Sequence, residues 1–301
     1  MWLDLQIFGF RALWSPYFMI FVIAMGLAYF LITGPYRHKF DALAEQPSTK
    51  EQISFYLAMI LLYAVKGAPI DLLSHIMLTA HMIQMAVYYL IFPILVLQGI
   101  PEWLWRKVLY QPVIKPFFKL FTMPLISLLM FNVLFSLYHL PAVFDFAKSS
   151  QFAHTATSLI ILFAAFIMWF PIVAPIRDED TISPLLKIAY IIGGTVLITP
   201  ACVLIIFADV PLFDAYSAQG SWIQALSLCV PINVLDGLQS SISGPSMFSP
   251  IDIMEDQQLG GIIMKIVQEI VYGTMIARIF FKWFSKESLK IDPLPSNTPQ
   301  E

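Results

Sequence analysis

The chain has 301 residues, of which 58% are hydrophobic and only 12% are Asp, Glu, Lys or Arg. A soluble domain carries roughly 25% charged residues, so this composition excludes one. The net charge of −3 says little about partners, because its distribution matters more than its sum.

Uncharged runs at 12–36, 72–101, 120–144, 149–176 and 188–208 settle the class. Each is long enough to cross a hydrocarbon core of about 30 Å at roughly 1.5 Å per residue. The fold class expected is all-α, a polytopic membrane bundle of about seven transmembrane helices. The N-terminal residues lack a basic region followed by a small-residue cleavage site, so the first apolar run reads as a retained span.

In chain order the spans are expected at 14–34, 52–70, 73–98, 117–141, 152–175, 185–207 and 258–281. Lys66 interrupts the second span and can snorkel toward the headgroups. The segment 101–116, with Trp103, Trp105, Arg106 and Lys107, reads as an interfacial connection. The loop between spans 6 and 7 is long, and its apolar stretch 222–235 suits the interface. Lys265 and Glu269, four apart in the last span, suit a local ion pair. One transmembrane domain, 1–281, is expected, with 282–301 as a cytoplasmic tail whose Pro-rich end is disordered. No internal repeat is present.

Thirteen Lys and Arg fall in the connections after spans 1, 3 and 5 and at the C-terminal end, against four on the other side. The positive-inside rule therefore puts the N-terminus outside and the C-terminus in the cytoplasm.

This orientation gathers four of the five histidines at the outer side: His75 and His81 of span 3, His139 at the end of span 4 and His154 at the start of span 5. His38 alone falls on the cytoplasmic side and reads as a surface residue. Met77, His81 and Met85 form an i, i+4, i+8 stripe, and His75 and Met82 share a neighbouring face. Imidazole with thioether suits copper, the thioether favouring the cuprous state. Met254, Asp256 and Met264 open span 7 near the same level, and the acidic outer loop attracts cations. An intramembrane His is equally a hydrogen-bonded packing residue, and Met is a routine apolar filler. For His81, buried where polarity is costly, function is the default. A bis-His haem would need His81 to face His139 or His154, but the cytoplasmic half supplies no His for a second haem. Cys202 and Cys229 form no CxxC motif; they read as isolated apolar residues, with a disulfide or a soft ligand as the alternative. No nucleophile with its base, phosphate loop or nucleic-acid surface is present, so no enzyme is expected.

The segments SHIMLTAHMIQM at 74–85, LYHLPAVFD at 137–145 with His154 and MWFP at 168–171, and above all DQQLGGIIM at 256–264 resemble the CtaG family of membrane proteins. The likeness runs from span 2 to span 7 and is closest to the CtaG of Bacillus-type bacteria. It implies a plasma-membrane factor that assembles caa(3)-type cytochrome c oxidase, with a copper-containing oxidase subunit as partner and a copper donor protein upstream. The metal ligands it implies, together with the residue pattern, are His75, His81, Met82, Met85, His139, His154, Asp256 and Met264. Many relatives carry His where Met85 stands, a Glu-His pair where Thr157 and Ser158 stand, and Trp where Lys265 stands. A copper transporter and a metal-free scaffold are the competing readings. A transporter would need polar or soft ligands through the cytoplasmic half, where few are found.

Overall fold

A computed structural model describes residues 2–238, 244, 247–249 and 251–288, and among them the only regular structure is helical. Capping chemistry written in the sequence starts most of the long helices. Pro stands in the first turn of α2 (Pro16–Thr33), α4 (Pro69–Ile76), α8 (Pro124–Tyr138), α9 (Pro141–Lys148) and α11 (Pro184–Ile206), where its missing N–H costs nothing. Ser48 and Glu51 close a capping box on α3 (Thr49–Lys66), and Ser150 caps α10 (Gln151–Val173) by accepting from the Ala153 N–H at 3.2 Å.

Five helical stretches among the described residues are long and apolar enough to cross a membrane: Gln6–Thr33, Leu78–Gly99 (α5), α10, α11 and Ile253–Ser285. Two bent pairs raise the number to seven. One joins α3 to α4 at 43°, and the other joins α7 (Ile114–Phe121) to α8 at 79°. Large side chains on the outside of the bundle, including Ile23, Ile60, Phe163, Val196 and Ile270, are exposed, as lipid-facing positions should be. The protein is a multi-pass membrane helical bundle. Its last helix, α15 (Ile253–Ser288), continues seven residues past the expected boundary at 281; 289–301 lie outside the described residues.

Helix α5 begins later than the sequence suggested. Met77 is extended (φ −134°, ψ 142°) and separates α4 from α5, so His75 sits on α4 and shares no helical face with Met82. The break has a tertiary cause. Asp256 of α15 accepts the Leu78 N–H at 2.6 Å and the Thr79 N–H at 3.2 Å, giving α5 an N-terminal cap supplied from another helix.

The connections sort to two ends of the bundle. At one end α4, α9, α12 (Asp214–Ser217) and α13 (Gln219–Leu226) pack together. There Tyr216 donates to the Ser74 carbonyl at 2.6 Å, and Asp145 accepts from the Asp214 and Ala215 N–H groups. The apolar stretch 222–235 does not lie flat in the interface. Trp222, Leu226, Val230 and Leu235 bury themselves against Leu5, Phe8, Leu13, Leu72 and Ile76, a second small core that caps this end. At the other end Arg106 bridges Glu102 (2.6 Å) and Asp178 (2.7 Å), and Lys107 donates to the Phe40 carbonyl. The second end is the one that carries the basic connections.

Candidate functional site

The DQQ segment at 256–258 acts as a clamp. While Asp256 caps α5, Gln257 accepts the Leu212 N–H at 2.7 Å and donates to the Val210 carbonyl at 3.3 Å, and Gln258 donates to the Ala208 carbonyl at 3.4 Å. Gly260 and Gly261 then bring α15 against both neighbours. A Cβ on Gly260 would sit 3.2 Å from the backbone of Leu78 and Thr79, and one on Gly261 would sit 2.8 Å from Ile206. This approach places Met264 inside the bundle, 1% exposed.

The predicted ligands divide between two places. The first is a polar cavity of about 10 Å³, room for a single water, lined by Lys66, His81, Gln84, Met85, Tyr88, Tyr89, Tyr138, His154 and Ser158. Tyr138 Oη lies 3.4 Å from His81 Nε2, while His81 Nδ1 is buried with no partner. A π turn, Ala86–Ile91, lets the consecutive Tyr88 and Tyr89 face the same space; such turns concentrate at functional sites. His75 stands beside this group, its ring 5.4 Å from that of His154. Its Nδ1 lies 3.4 Å from Lys148 Nζ.

Charge at this cavity is unusual. Lys66 lies 3.9 Å from Asp71, whose carboxylate also accepts from Gln84 at 2.7 Å. Lys148, in the connection between spans 4 and 5, is 2% exposed. Burial, aided by the charge of Lys66, pushes its amine down to about 7.

The second place is a gap with no room for a water, lined by Met82, Phe135, His139, Ala201, Cys202, Ile205, Gly261 and Met264. His139 Nδ1 donates to the Phe135 carbonyl at 2.7 Å, so Nε2 carries the free lone pair, and it is buried without a partner.

His81, Met85 and His154 are thus brought together with His75 alongside, and His139, Met82 and Met264 are brought together separately. Both Asp256 oxygens are occupied by backbone N–H groups. His38 is exposed and pairs with the Ala42 carbonyl, and Lys265 pairs with Glu269 at 2.7 Å. Cys202 and Cys229 are both free thiols. Sequence reasoning missed Gln84, Lys148 and the tyrosines. Gln84 and Tyr138 carried a signal, standing in the segments at 74–85 and 137–145. Among the described residues no three His, Cys, Asp or Glu converge as a metal cluster; the clustering found depends on methionine sulfur.

Residues 27–286 match the cytochrome c oxidase caa3 assembly factor family, Caa3_CtaG. The chain belongs to this family. No curated protein and no solved structure matches it. As a caa3 assembly factor it has an oxidase as its partner, and the match spans both the DQQ clamp and the two His groups.

Proposed function

We propose that this caa3 assembly factor binds copper at the outer leaflet of the plasma membrane and supports formation of the oxidase copper centre, catalysing no reaction of its own. One observation supports the reading most directly. Two buried imidazole nitrogens, His81 Nδ1 and His139 Nε2, have no hydrogen-bond partner; Met85 lines the cavity at His81, and Met82 and Met264 line the gap at His139. A buried unsatisfied nitrogen costs about 1–3 kcal/mol, a cost that metal coordination removes. The donor set fits copper, since imidazole and thioether are both ligands it accepts. His81, Met85 and His154 would receive the ion at the polar cavity; His139, Met82 and Met264 would hold it deeper. Copper is cargo here, taken from a donor protein and passed to the copper-containing core subunit.

The basic end of the bundle faces the cytoplasm in this reading, by the positive-inside rule, so the His-bearing end faces outward. The test is copper content of the purified protein, beside a His81→Ala/His139→Ala double variant and His38→Ala. Wild type and His38→Ala should carry copper and the double variant none. Equal copper in all three would defeat the reading.

A further inference from the structure

The thiol of Cys202 lines the same dry gap as the unpaired His139 Nε2. Met82 and Met264 supply two thioethers to the same space, from α5 and α15, while Cys202 projects from α11 and His139 follows α8. All four residues are buried: Met82 0%, Met264 1%, His139 1% and Cys202 3% exposed. One imidazole and three sulfur-bearing side chains from four different parts of the chain therefore line one gap that has no room for a water. The Phe135 carbonyl occupies Nδ1 of His139 and leaves Nε2 without a partner.

We infer that the His139–Cys202–Met82–Met264 gap is a holding site for the cuprous ion, with Cys202 as its thiolate ligand. This rests on the copper reading above and names the residues and oxidation state within it.

Charge decides the oxidation state. Binding forms a copper–sulfur bond, and the thiol proton leaves to bulk water; no electron moves. Cu⁺ with one thiolate is neutral overall, so it can reside in an apolar site, whereas Cu²⁺ or Zn²⁺ would leave a net positive charge in low dielectric. Thiolate and thioether donors also select Cu(I) by their softness. The neighbouring polar cavity is less suited to retention. Lys66 lines it, and Lys148 Nζ is 3.4 Å from His75 Nδ1, so two amines oppose a cation there, while neither lines the gap at His139.

The experiment is anaerobic titration of the full, detergent-solubilised chain with cuprous ion against a chromophoric Cu(I) chelator, with X-ray absorption of the loaded protein. Wild type should hold one cuprous ion in a sulfur-rich shell containing one nitrogen. Cys202→Ser should weaken retention by more than about 100-fold, the upper end for loss of a mere outer-shell partner, and should remove one sulfur from the shell. Cys229→Ser and His38→Ala should keep both the affinity and the shell. Met264→Leu, which conserves volume, should lose one sulfur with an unchanged unfolding midpoint, so a folding defect in Cys202→Ser cannot hide the answer. Copper bound through nitrogen and oxygen alone, or unaffected by Cys202→Ser, would overturn this site and leave the copper reading standing. A wild type that holds no copper would overturn the copper reading and this inference with it.

Discussion

Both carboxylate oxygens of Asp256 accept backbone N–H groups from a helix 177 and 178 residues away in sequence. Asp256→Ala should therefore lower stability by about 2 kcal/mol, the upper end for a lost cap, read as the thermal midpoint in detergent. Asp256→Asn keeps one acceptor and should lose less; equal losses would show that the second bond contributes nothing. Lys148 gives a pH signature. Below about pH 7 the amine is charged whether folded or not, and the folded state bears the full burial cost. Between about 7 and the ordinary 10.5, the unfolded chain binds a proton the folded one lacks, so stability rises with pH across that window. Lys148→Met should flatten the rise; an unchanged slope would assign it to another group. Neither role was legible in the sequence, because a cap supplied to a remote helix and a lysine buried against His75 and Tyr216 are products of tertiary packing. His81 was legible as a candidate for an energetic reason, since an imidazole deep in an apolar run needs a partner or a purpose.

Among the elements, the long apolar helices α5, α10 and α11 were readable from uncharged runs alone, whereas α15 carries Lys265 and Glu269; the Ser start of α10 and the Pro start of α11 follow capping chemistry. Breaks were less readable. Met77 is apolar and carries no breaker signal, and its extended backbone follows from the cap that Asp256 offers two residues on. The 79° turn before Pro124 hides inside a run that hydropathy alone treats as continuous. The glycines at 260 and 261 are close-packing positions. A Cβ on Gly261 would meet Ile206 at 2.8 Å and Ile205 at 3.1 Å. Gly261→Ala should push α15 from α11 and cost about 1–3 kcal/mol. A Gly261→Ala protein with the wild-type midpoint would show that the side chains of Ile205 and Ile206 yield freely.

For the whole molecule, the His-bearing end and the basic end are opposite ends of one bundle, and the positive-inside bias chooses which is outside. A reporter active only in the cytoplasm should be silent when fused after Lys148 and active after Lys282; the reverse would put the His groups inside the cell. The competing roles meet at the same level. A scaffold that never touches metal needs no unpaired imidazole nitrogens, and a transporter needs soft ligands down to the basic end, where the connections are instead joined by pairs such as Arg106 with Glu102 and Asp178. We propose that this family member serves the oxidase by handling copper. The most direct measurement is the ratio of copper to haem in caa3-type oxidase isolated from cells with and without the chain. When the chain is missing, oxidase polypeptides and haem should be at normal levels, with copper and activity low. Normal copper with haem lost would contradict the proposal.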